Sequence, residues 1–117
     1  MEAVKAEERT DNWVEVCQVD ELIDNVGVCA LLNDKQVAIF RLSGGDQLYA
    51  IDNHDPFSNA NVLSRGVVGD LKGQLVVASP IYKQHFNLET GQCLEDESVC
   101  IPVYKIQIVD GIVQIAE

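Results

Sequence analysis

The sequence predicts an all-β domain, an antiparallel sandwich or barrel. Three observations carry this. Short runs rich in Val, Ile and Leu recur along the chain, separated by turn residues. No segment keeps a helical period over several turns. Asp110-Gly111 stands between two such runs, which is a strong hairpin signal. About eight or more short strands without a long helix fit a barrel or sandwich.

Residues 1–10 are polar and aperiodic and are expected to form a disordered tail, leaving 11–117 as one domain. Residues 13–17 alternate as a strand, and Asp20-Glu21-Leu22-Ile23 suits one helical turn before Gly27. Residues 28–32 and 36–42 flank Asn33-Asp34-Lys35 as a hairpin, and Gly44-Gly45-Asp46 turns the chain into 47–51. Residues 52–73 form the longest irregular stretch, and long loops in compact domains are usually functional. Strand patterning returns at 74–78, stops at Pro80 and resumes at 84–88. Thr90-Gly91 makes a tight turn, and 103–109 pairs with 112–115 across Asp110-Gly111. Alternation nominates Trp13, Val37, Ile39, Tyr49, Ile51, Val77, Phe86, Ile106 and Ile108 for the core.

Composition excludes several functions. A chain of 117 residues fits a single domain. Its 19 acidic and 8 basic residues give a formal charge of −11, without the basic footprint that unassisted nucleic-acid binding needs. The same charge argues against anionic lipid. No apolar run approaches the roughly 20 residues of a membrane helix. Lys5 and Arg9 among Glu2, Glu7 and Glu8 leave no apolar centre for a signal peptide, so a cytoplasmic protein is expected. Cys17, Cys29, Cys93 and Cys100 form no C-x-x-C pair and are expected to be free, mostly buried thiols.

Catalytic chemistry is hard to place on this chain. The two histidines, His54 and His85, sit in no nucleophile context. If Phe86 and Leu88 face the core, His85 faces outward as ordinary surface. His54 with Asp55 falls short of the ligand count of a real metal site. Gly44-Gly45 is isolated, and Gly66, Gly69 and Gly73 do not open a helix, so no phosphate loop is present. Glu95, Asp96 and Glu97 read as a solvated acidic turn. No catalytic residues are expected.

The order of the parts is more telling. A strand ending Tyr49-Ala50-Ile51-Asp52-Asn53 runs into Asp55-Pro56-Phe57, followed by Leu63-Ser64-Arg65-Gly66. Then come Ala78-Ser79-Pro80-Ile81-Tyr82, Phe86-Asn87-Leu88-Glu89-Thr90-Gly91 and the Asp110-Gly111 hairpin. This resembles the Rieske iron–sulfur domain, from about Val14 onward. Such a domain holds its cluster with two thiolates on one iron and two imidazoles on the other. Carried over by position, the cysteines would stand at Asp55 and Ser79 and the histidines at Phe57 and Tyr82. All four ligands are absent. The connection from Phe57 to Ser79 is somewhat longer than in cluster-bearing domains, with 58–73 supplying the excess.

The frame with this loss is similar to the small-subunit family of the assimilatory NAD(P)H-dependent nitrite reductases. Gly27-Val28-Cys29-Ala30-Leu31-Leu32, Gln36-Val37-Ala38-Ile39-Phe40-Arg41, Val62-Leu63-Ser64-Arg65-Gly66 and Glu95-Asp96-Glu97 extend the likeness over nearly the whole chain. The resemblance implies a Rieske-like fold without a cluster in a bacterial, cytoplasmic, non-redox accessory subunit. It also implies a large-subunit partner bearing the flavin, the iron–sulfur cluster and the sirohaem, which reduces nitrite to ammonia in nitrate assimilation. The former ligand loops offer Pro56, Phe57, Arg65, Pro80, Ile81, Tyr82 and Lys83 as a docking tip, since aromatic and arginine side chains are favoured anchors. Phe57 and Tyr82 have a second reading, as filler of the volume a cluster would take. A degenerate Rieske-like interaction module of another oxidoreductase is the competing function; an electron carrier fails on the ligand count.

Overall fold

The computed structural model describes residues 12–42 and 47–117; the expected tail and the Gly44-Gly45-Asp46 turn lie outside the described residues. The strands are β1 (Val14–Gln18), β2 (Val28–Leu32), β3 (Lys35–Arg41), β4 (Leu48–Asp52), β5 (His54–Asp55) and β6 (Ala60–Asn61). They continue with β7 (Val67–Leu71), β8 (Gln74–Ala78), β9 (His85–Asn87), β10 (Lys105–Val109) and β11 (Ile112–Ala116). Helical structure among the described residues is confined to two single 3-10 turns, Val19–Glu21 and Leu63–Arg65. The first is the expected turn, shifted one residue earlier and closed by the Gln18 N–H donating to the Glu21 carboxylate at 2.8 Å.

Every strand pairing is antiparallel. Three hairpins close on two-residue loops whose residues both have positive φ: Asn33-Asp34, Lys72-Gly73 and Asp110-Gly111. That backbone matches the right-handed twist of the flanking strands, and Asn, Asp and Gly tolerate it best. The strands form three-stranded sheets in the orders β1-β11-β10, β2-β3-β4 and β7-β8-β9, with β5-β6 as a small ribbon.

The middle sheet explains the layering. Val37-Ala38-Ile39-Phe40 on β3 is an unbroken apolar run, buried at every position. Alternate side chains point to opposite faces, so such a run needs cover on both. Val37 and Ile39 pack with Leu32, Ala50, Val113 and Ile115 toward the β1-β11-β10 sheet. Ala38 and Phe40 pack with Ile51, Leu63, Val77, Phe86 and Leu88 toward the β7-β8-β9 sheet.

The structure revises several expectations. Residues 52–73 are not one irregular stretch: they hold β5, β6, a 3-10 turn and all of β7. Ile108 is 38% exposed, because the core around Val113 and Ile115 reaches Tyr104, just before β10, and Ile106 on β10 but stops before the hairpin end. Trp13 is only half-buried and belongs to neither core. The thiols are free, yet only Cys93 is buried; Cys17 is half-buried, and Cys29 and Cys100 are exposed. No described helix is long and apolar enough to cross a membrane.

Candidate functional site

Strand alternation separates the two residues of β5. His54 turns outward, its Nδ1 lying 2.9 Å from Oδ1 of Asn61 across the ribbon. Asp55 turns inward and is fully buried. The two side chains therefore do not converge on one point. After Asp55 the chain folds back, with the Asn59 N–H donating to the Asp55 carbonyl at 2.8 Å. Oδ1 of Asp55 accepts the Phe57 N–H at 2.9 Å, and Oδ2 accepts the Ser58 hydroxyl at 2.9 Å. This local pattern is one that aspartate side chains favour at turns.

The second loop is built in parallel fashion. β8 ends at Ala78, the Ser79 N–H donates to the Gln84 carbonyl at 2.9 Å, and the Lys83 N–H donates to the Ser79 carbonyl at 3.1 Å. Ser79 is fully buried. Its hydroxyl donates to Oδ2 of Asp55 at 2.5 Å and accepts the Ile81 N–H at 3.3 Å. The two positions where cluster-binding cysteines would stand are thus joined directly to each other. Burial alone would raise the Asp55 pKa; the hydrogen bonds from Ser79, Phe57 and Ser58 outweigh it and hold the carboxyl below its usual range.

Asn53, which sequence reasoning missed, fixes the third segment. Its buried side chain accepts the Ser64 N–H at 2.6 Å and donates to Oε1 of Gln36 at 3.0 Å. Its carbonyl accepts the Leu63 N–H at 3.0 Å. Only glycine fits at position 66, where a Cβ would run into the Ala78 carbonyl. Val67 then pairs with Ala78, the residue before Ser79, so Gly66, the residue after Arg65, lies against the end of β8.

The tip residues divide by burial. Phe57 is half-buried and packs on the core, its ring centroid 6.2 Å from that of Phe86. Pro80 is also half-buried. Tyr82 is 60% exposed and Ile81 44%, and Pro56, Arg65 and Lys83 are exposed. Phe57 therefore fills volume, whereas Tyr82 does not. Below the tip, His85 is half-buried rather than open surface, with its N–H and ring both on Glu95.

A [2Fe-2S] centre of this fold needs two thiolates and two imidazoles. The four positions carry a carboxylate, a phenyl ring, a hydroxyl and a phenol, so the residues do not fit it. Among the described residues no three His, Cys, Asp or Glu side chains converge for any metal.

The family model for the Rieske-like [2Fe-2S] domain matches residues 12–116. The nitrite reductase (NADH) small subunit of Escherichia coli (strain K12) is 48% identical over 103 residues, which cover 88% of this chain and 95% of that protein. The chain belongs to the Rieske-like nitrite reductase small-subunit family. The solution structure of the nitrite reductase [NAD(P)H] small subunit from Erwinia carotovora superposes with a TM-score of 0.76 at 47% identity, covering 90% of this chain and 81% of that one. A third relative is informative in another way. The nitrite reductase [NAD(P)H] large subunit of Klebsiella oxytoca is 38% identical over 99 residues, 85% of this chain but 10% of that protein. That large subunit thus carries within its own polypeptide a segment similar to this family.

Proposed function

We propose that this chain is the accessory small subunit of an NAD(P)H-dependent nitrite reductase serving nitrate assimilation in the bacterial cytoplasm. It carries no redox group of its own and docks on the large subunit, which bears the flavin, the iron–sulfur cluster and the sirohaem. The observation that carries the non-redox reading is the direct Asp55–Ser79 hydrogen bond in place of two cysteine ligands. Identity running over nearly the full length of a nitrite reductase small subunit favours this enzyme over another oxidoreductase. The segment inside the Klebsiella oxytoca large subunit supports that choice of partner.

The docking surface is the tip formed by Pro56, Phe57, Arg65, Pro80, Ile81, Tyr82 and Lys83. Exposed Tyr82 and Ile81 offer apolar anchors. Arg65 and Lys83 have no acidic partner among the described residues, whereas Lys35 and Arg41 are paired with Glu117 and Asp24. A chain of net −11 that leaves two cations free at one end presents them to an acidic partner surface. Co-purification with the cognate large subunit, with nitrite turnover measured with and without this chain, tests the function. Stoichiometric iron with a visible charge-transfer band in the purified chain would contradict the non-redox reading.

A further inference from the structure

We infer that the Asp55–Ser79 contact is a clamp that holds the docking tip in its binding shape, making Asp55 and Ser79 positioning residues for the partner. This rests on the docking reading above. A cluster bonded to both loops would tie them together covalently; here no such tie exists, and the loops lie 24 residues apart in sequence. A buried carboxylate and a buried hydroxyl at 2.5 Å make the connection instead. Both groups also reach the tip backbone: Asp55 takes the Phe57 N–H, and Ser79 takes the Ile81 N–H. One hydrogen-bonded chain thus runs from Phe57 through Asp55 and Ser79 to Ile81, the residue preceding Tyr82. Preorganisation of this kind raises affinity by removing the ordering cost from the binding step.

The experiment measures the Kd of the full chain for the purified cognate large subunit, together with residue-resolved amide exchange on the free chain. Ser79→Ala is expected to weaken binding about tenfold, the factor that loss of one charge-assisted hydrogen bond allows. The Ile81 and Phe57 amides should lose more protection than those of β10 and β11, which report only the fall in global stability. Val113→Ala, buried in the other core, serves as a variant of lowered stability remote from the tip; it should leave the Kd unchanged and lower protection at the tip no more than in β10 and β11. If Ser79→Ala does not fold, Asp55→Asn is read by the same criteria, since it keeps the volume and exchanges one acceptor oxygen for an amide. Wild-type affinity in the clamp variant while Tyr82→Ala binds weakly would overturn the clamp and leave the docking surface standing. Unchanged affinity in both Tyr82→Ala and Ile81→Ala would remove the docking surface, and the clamp's role with it.

Discussion

Glu95 grips His85 twice: Oε1 accepts the His85 N–H at 2.8 Å, and Oε2 lies 2.7 Å from the imidazole Nδ1. The carboxylate so bridges β9 to the turn that follows Cys93, directly beneath the second tip loop. Burial would raise the Glu95 pKa, but these two bonds to His85 and its nearby ring outweigh that and lower it. The side chain is about half exposed, so water competes for both contacts. Glu95→Ala should therefore cost only about 1 kcal/mol, measured by urea denaturation.

Acid should reveal Asp55. Its folded pKa is depressed, so its contribution is fully present above the unfolded value of about 3.9 and is lost as pH falls through the folded value. Asp52 works in the opposite sense, because burial raises its pKa and protonation relieves it. Asp55→Asn leaves the Asp52 contribution in place, so the difference between the two chains isolates Asp55. At neutral pH the variant should be about 1.5–3 kcal/mol less stable than wild type. Denaturant curves taken from pH 6 to pH 3 should show that gap closing; a constant gap would contradict the assignment.

The two aromatic residues of the tip should separate under mutation. Phe57 lies against Phe86 and is half-buried, so Phe57→Ala should lose about 1–3 kcal/mol of stability, less than the 3–5 kcal/mol of a fully buried phenylalanine. Tyr82→Ala should stay within about 0.5 kcal/mol of wild type and yet bind the large subunit more weakly. Thermal unfolding and pull-down on the same preparations decide it.

Thiol titration should resolve the cysteines in steps. Cys100 and Cys29 are exposed and should react with a disulfide reagent in the native state. Burial raises the Cys93 thiol above its ordinary pKa, and the residue has no solvent-exposed surface. It should react only when the chain unfolds. Native-state modification of Cys93, located by mass spectrometry, would contradict the packing.

The strands set by local pattern were legible in the sequence. Asp110-Gly111 announced its hairpin and 36–42 announced a strand, because two-residue turns and apolar runs act through near neighbours. Alternation nominated only Val37 and Ile39 and missed Ala38 and Phe40, which are buried on the opposite face. β7 was not legible, since Gly69 and Asp70 interrupt its alternation and its place is fixed across the sheet by Val76 and Val77. Gly66 looked like a loop glycine, yet the constraint on it comes from the Ala78 carbonyl, twelve residues away. The site divides in the same way. Asp55 and Ser79 could be placed by their resemblance to ligand positions, but their pairing exists only after folding. Asn53 gave no signal, because a buried amide matters through Ser64 and Gln36, neither of which is adjacent in the chain.

β3 acts as a party wall, with each of its faces sealing a different chamber. Neighbouring residues such as Ala38 and Ile39 belong to opposite chambers, so neither chamber can be opened without stripping the wall from the other. Heat should then meet a single cooperative melting event, with the calorimetric and van't Hoff enthalpies agreeing. Mutational damage should travel likewise: a hole opened beside Val113 lowers the melting point of the half that carries the tip, without a single atom of the tip having changed.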